Sequence, residues 1–179
     1  ATAYQRLGIP GHISDDLPLP LKTRGAIGMP GQAQFHPLKL LYGLARDLDI
    51  YEDTLVLGLE GNRAITQKGS IAAEHIILAT HYPMVNIPGL YAVKLYQHRS
   101  YTVALQDGPD IDGMYVDERE EGHSFRNYKD YLFVGGGDHR TGKAGGGYAT
   151  LRALAAEAYP GREIRFAWAT QDCMSLDSV

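Results

Sequence analysis

The 179-residue chain carries 17 Lys+Arg against 21 Asp+Glu, a formal net charge of −4, and is 44% hydrophobic and 21% charged. Those proportions exclude a disordered chain, and the mild acidity (pI ≈ 6.0) lacks the basic surplus of a nucleic-acid binder. A single cysteine excludes an internal disulfide framework or a multi-cysteine zinc site, and no apolar run approaches the ~20 residues of a membrane span.

The opening Ala-Thr-Ala-Tyr shows no basic start and no apolar stretch behind it, so no secretory signal is visible and a reducing, cytoplasmic setting is expected. The chain begins without Met and stops at Met174–Val179 directly after a strand-like run. Both ends read as cut, as in an internal fragment of a longer protein.

In chain order, residues 1–8 predict the end of a helix, closed by Gly8 and broken by Pro10. Residues 10–23, with Pro18 and Pro20, read as an extended linker. A short strand is predicted over 24–29, stopped by Pro30-Gly31. The clearest helix is 37–48: Pro37 suits the first turn, and Leu38, Leu41, Leu44, Ala45 and Leu48 make one apolar face. Gly43 weakens it by about 1 kcal/mol relative to Ala.

Short strands at 49–52, 54–60, 63–67 and 70–73 then form a meander, with turns at Gly61-Asn62 and Lys68-Gly69. The apolar run 74–80 predicts a strand buried on both faces. A long strand is predicted over 91–106, further strands over 113–118, 124–127 and 131–134, a helix over 147–158 and a last strand over 162–169. The fold class is α+β, a mostly antiparallel or mixed sheet with two main helices.

Several motifs carry chemistry only weakly. Gly137, Gly142 and Lys143 fit G-x-x-x-x-G-K, but Ala144 stands where a P-loop needs Ser or Thr for magnesium. Three further glycines delay the helix, so its N-terminus would not cap a phosphate. The favoured reading of residues 135–147 is a Gly-rich loop that lets backbone approach a bulky ligand. The dinucleotide fingerprint G-x-G-x-x-G is incomplete, with Arg140 in place of its third glycine.

Histidines 12, 36, 75, 81, 98, 123 and 139 show no metal-ligand spacing and read as ordinary surface or core residues. Cys173 reads as a buried structural thiol and Trp168 as core. Residues 96–101 differ: along an alternating strand Tyr96, His98 and Ser100 face one side and Gln97, Arg99 and Tyr101 the other. Neither side is purely apolar, as expected of the wall of a polar pocket or of an exposed sheet face.

Taken together, four ordered stretches resemble the glycine oxidase/D-amino-acid oxidase-like (DAO) family of FAD-dependent oxidoreductases. They are Gln32–Pro37 with the helix after it; Thr54–Val56 through His75-Ile-Ile-Leu-Ala-Thr80; Tyr96–Ala104; and Leu132-Phe-Val-Gly-Gly-Gly through His139, Tyr159-Pro160, Phe166–Asp172 and Leu176-Asp177. The look is closest to members that carry a C-terminal Rieske domain. The family's N-terminal fingerprint and C-terminal flavin-covering segment are missing, His81 stands where Gly is usual, and Ala169-Thr170 where Ser-Gly is common.

The resemblance implies a DAO-type substrate-domain sheet at about 81–130, with partial strands of the FAD domain in 24–80 and 130–179. It implies a parent flavoenzyme that oxidises a C–N bond of an amino acid or amine by hydride transfer to FAD, with a Rieske centre or another electron acceptor as partner. The fragment alone is expected neither to hold FAD tightly nor to turn over. By the same resemblance Tyr96, Gln97, Arg99 and Tyr101 line the substrate, and Val56, Thr80, His81, Trp168, Gln171 and Asp172 contact FAD. No catalytic acid–base residue and no metal is implied. The rival readings are a non-catalytic ligand-binding or assembly module and, third, a P-loop-like nucleotide binder.

Overall fold

The computed structural model describes residues 2–87, 89–119 and 122–176. The chain divides into two compact units: Ala1–Ile13 with Ile27–Thr80, and Ser14–Ala26 with His81–Val179. The class is the mixed α+β one expected from the sequence, with mostly antiparallel pairing.

The first unit holds a short helix α1 (Thr2–Arg6), helix α2 (Pro37–Leu44) and the antiparallel meander β3 (Val56–Glu60), β4 (Arg63–Thr66) and β5 (Gly69–Ala72). Strands β1 (His12–Ser14) and β2 (Ala26–Gly28) straddle its boundaries with the second unit. Pro37 opens α2, and the His36 imidazole caps it by accepting from the Lys39 N–H at 3.4 Å. The meander turns where glycine permits, at Gly61 (φ 58°) and Gly69 (φ 139°).

Two expectations fail in this unit. Residues 49–52 form no strand, and the apolar run 74–80 is mostly exposed and lies outside every strand rather than forming a doubly buried one. Ile77 is 88% exposed. A strand exists only where a neighbouring strand pairs with it, and 74–80 belong to none of the sheets among the described residues.

The second unit is built on a five-stranded antiparallel sheet. Its members are β6 (Leu95–Gln106), β7 (Met114–Val116), β8 (Ser124–Tyr128), β9 (Tyr131–Arg140) and β10 (Ile164–Ser175), in the order β10-β6-β9-β8-β7. Helix α3 (Gly147–Ala158) lies on one face. Leu151 and Ala155, one turn apart, meet Val103, Leu105, Phe125, Leu132 and Val134 of the sheet, with Ile111 and Tyr159 closing the cluster. Each fully buried Leu or Val here contributes about 1.5–3 kcal/mol. Leu19 and Leu21, on the stretch read as a linker, pack against this core.

The strands differ from expectation in extent. Residues 91–93 are a 3₁₀ turn, so β6 starts at Leu95. Strand β10 runs on to Ser175 because it stays paired with β6 along its whole length. Strand β9 does not stop at Val134: Gly135–Gly137, Asp138, His139 and Arg140 belong to it, so these glycines lie in a strand and not in a loop. A β-bulge allows this. Arg99 pairs with His139 and Tyr101 with Gly136, leaving Gly137 and Asp138 opposite one residue of β6. Gly137 takes the left-handed conformation (φ 67°) that such a bulge requires.

Candidate functional site

Strand β6 is central, flanked by β10 and β9. Alternation sends Gln97, Arg99, Tyr101, Val103 and Leu105 to the face that carries α3, and Tyr96, His98, Ser100, Thr102 and Ala104 to the other. The α3 face is apolar from Val103 onward and polar from Tyr101 back to Gln97. The helix covers the first part and, through Gly147 and Tyr148 at its start, the Tyr101 ring; residues 95–102 are half-buried.

The polar part is one linked row. The Gln171 amide N–H donates to Gln97 Oε1 at 2.5 Å, and Arg99 Nη1 donates to Gln171 Oε1 at 3.4 Å. The Arg99 guanidinium lies 5.7 Å from the Tyr101 ring centroid. The Tyr101 hydroxyl meets His139 Nε2 at 2.9 Å, and the Tyr148 ring packs edge-on to Tyr101 at 4.8 Å. His81, in a left-handed conformation (φ 62°), donates from Nε2 to the Gln171 carbonyl at 2.6 Å. The amides and guanidinium fix one another, so the row is pre-organised while Arg99 has no carboxylate partner in an ion pair among the described residues.

The opposite face has a different character. Phe133 and Trp168 meet edge-on at 5.3 Å, Tyr131 and Phe166 at 5.6 Å, and the Arg126 guanidinium sits 5.5 Å from the Phe133 centroid. Phe133, Trp168 and Arg126, together with Thr102, Met114, Val116 and Ser124, border an open depression of about 420 Å³. On the core side of the same strand β7 the Tyr115 hydroxyl donates to the Ile111 carbonyl at 3.0 Å, and burial, with Asp112 second, raises its pKa above the ordinary tyrosine value. Further along this face Ser100 donates to Asp172 at 3.2 Å, and the Arg140 guanidinium lies over Tyr96 at 4.9 Å.

The sequence candidates are therefore split. Gln97, Arg99, Tyr101 and Gln171 come together on the α3 face, and His81 meets only the backbone carbonyl of Gln171 on the edge strand β10. Tyr96, Trp168 and Asp172 lie on the other, because residues 168, 170 and 172 alternate with 171 along β10. Trp168 is 38% exposed and so is not a core residue: its strand is at the sheet edge and its face carries no helix. Cys173 is half-buried. Val56, on β3 opposite Thr66, and Thr80, at the end of the run 74–80, belong to the first unit. Asp177 lies outside the described residues. Sequence reading missed His139 and Tyr148. Their only signal was position: His139 follows the glycines of β9, and Tyr148 opens α3.

The Gly-rich segment does not cradle a phosphate. A Cβ on Gly137 would lie 2.5 Å from the Gly147 carbonyl oxygen, and one on Gly145 would lie 2.4 Å from His139 Cβ. That space is filled by the protein itself. Among the described residues, no group of three or more His, Cys, Asp or Glu is placed to hold a metal, and no helix is long and apolar enough to cross a membrane.

The family described as DAO, FAD dependent oxidoreductase, matches residues 4–178. The chain belongs to that family. It is 34% identical, over 196 residues, to YhfW of Bacillus subtilis (strain 168), a protein named for a Rieske 2Fe-2S iron-sulfur centre. That alignment covers 99% of this chain and 38% of YhfW. The fold is similar to that of glycine oxidase from Geobacillus kaustophilus, with a TM-score of 0.78 at 18% identity over 99% of this chain and 55% of the oxidase. The chain thus spans about half of the oxidase and a little over a third of YhfW.

Proposed function

We propose that the parent protein oxidises a C–N bond of an amino acid or amine, and that the polar part of the α3 face is its substrate wall. The observation that carries this is the linked row Gln97–Gln171–Arg99–Tyr101. It sets a guanidinium that has no acidic ion-pair partner among the described residues between amides and a phenol, which suits a carboxylate held by a forked donor. Bound FAD would accept the hydride; this chemistry belongs to the cofactor.

The described residues fit only part of that cofactor. Amide and imidazole groups at Gln97, Gln171 and His81 suit the polar edge of a flavin ring. Val56 and Thr80 are our candidates for the adenine and ribityl side. The glycine segment is closed by its own packing and offers no pyrophosphate cradle. On this reading the chain alone binds FAD weakly and does not turn over. A Rieske centre as electron acceptor is suggested by the name of YhfW.

One observation favours a second location: the aromatic depression on the opposite face, bordered by Trp168, Phe133 and Arg126. The two arginines discriminate. In the complete protein, Arg99→Ala should raise KM for an acidic substrate at least tenfold (a charged hydrogen bond is worth about 1.5–3 kcal/mol) and that for a plain amine far less. Arg126→Ala should leave both nearly unchanged. The reverse result would move the wall to the other face, and equal effects on acidic and plain amines would remove Arg99 from substrate binding.

A further inference from the structure

The Tyr101–His139 contact has a defined polarity. His139 Nδ1 lies 3.0 Å from the Arg140 carbonyl oxygen, which can only accept, so Nδ1 carries the proton. In the neutral ring Nε2 is then an acceptor, and the hydroxyl 2.9 Å away must be the donor. The Tyr101 hydrogen is therefore committed to His139, and the phenolic oxygen keeps its acceptor lone pairs for another partner.

The glycine segment shapes the pair's surroundings. A Cβ at Gly145 would strike His139 at 2.4 Å, and Gly147 packs with its α-carbon against the Tyr101 ring, where a Cβ would sit 3.5 Å away. Gly137 lets the backbone of Gly147 come that close, since its own Cβ would lie 2.5 Å from the Gly147 oxygen. Tyr148 then packs edge-on to Tyr101, and the Arg99 guanidinium lies against the same ring. The motif that resembles a P-loop is a clasp.

We infer that His139 is a positioning residue, held by the Gly145–Gly147 clasp, that turns Tyr101 into a hydrogen-bond acceptor beside the cation of Arg99. The inference rests on the proposed substrate wall and narrows its ligand: a molecule bearing both a carboxylate for Arg99 and an N–H for the Tyr101 oxygen, that is, an amino acid with a primary or secondary amine.

Two measurements on the protein from the complete reading frame test this. Long-range proton–nitrogen correlation on ¹⁵N-histidine-labelled protein, above the pH at which histidine is charged, should show His139 protonated on Nδ1. Its Nε2 should carry a shift of an accepted hydrogen bond that Tyr101→Phe removes. Protonation on Nε2 instead would overturn the inference. In kinetics, His139→Leu should raise KM about tenfold for an N–H-bearing amino acid and leave that for its tertiary-amine analogue unchanged. His139→Gln, whose amide oxygen can accept from Tyr101, should recover most of the loss. A general loss for both substrates, no loss at all, or no recovery with Gln would contradict it. If no amine is oxidised, the functional reading fails separately, and the nitrogen shifts still decide the Tyr101–His139 geometry.

Discussion

The two units of this chain treat their apolar residues in opposite ways. In the second unit Val103, Leu105, Ile111, Leu132, Val134 and Leu151 are all 0% exposed. In the first, no described apolar side chain is buried, and Thr66 is its one buried residue. Helix α2 has the more regular apolar stripe of the two main helices, yet Leu38, Leu41 and Leu44 are 55%, 57% and 66% exposed. Apolar periodicity encodes a need for cover, and what supplies the cover is a separate matter. Helix α3 finds it on a sheet of its own unit. Among the described residues nothing else in the first unit buries the stripe of α2, and the run 74–80 belongs to no strand there.

The contrast can be broken at three levels. The largest effect is expected in the core. Leu132→Ala should lower the stability of the second unit by about 2–5 kcal/mol, because the site cannot collapse between sheet and helix. Leu41→Ala on α2 should change stability by less than about 0.5 kcal/mol. Urea denaturation followed by fluorescence of Trp168 reports the first, and helical ellipticity the second. Comparable losses at the two sites would mean that α2 is covered.

Glycine replacements should differ in sign. Gly137→Ala forces a side chain into a left-handed backbone against the Gly147 carbonyl and should cost at least about 1–3 kcal/mol. Gly43, within α2, has open space around it, and Gly43→Ala should strengthen that helix by about 0.5–1 kcal/mol. Thermal melts of both variants check this, and two losses would contradict it.

The smallest effect concerns Tyr159, 6% exposed, whose hydroxyl has no partner among the described residues. Burial raises its pKa above 10.0. Its contribution to stability is thus fully present below pH 10 and falls as pH rises through the higher folded value. Tyr159→Phe should be neutral or stabilising by up to about 1 kcal/mol near neutral pH and should delay alkaline unfolding. Unchanged alkaline unfolding would mean that the phenol is already solvated.

Much of the fold is legible in the sequence. The bounds of α3, the meander with its glycine turns and the long pairing strand all follow from local pattern. Alternation along β6 sorts Gln97, Arg99 and Tyr101 from their neighbours correctly, and the same rule along β10 separates Trp168 and Asp172 from Gln171. The extent of β9 was hidden because its glycines look like a loop until a bulge and a close-packed helix start explain them. His139 and Tyr101 are brought together only by the register of that bulge, which no local pattern reports. The run 74–80 carries the composition of a buried strand but belongs to none of the sheets among the described residues.

The most direct test of the oxidoreductase reading is a visible absorption spectrum of the protein expressed from its complete reading frame and desalted. Flavin bands that stay with the protein are the predicted result. A protein that remains colourless after incubation with FAD would contradict it and favour a non-catalytic binding module built on the same sheet.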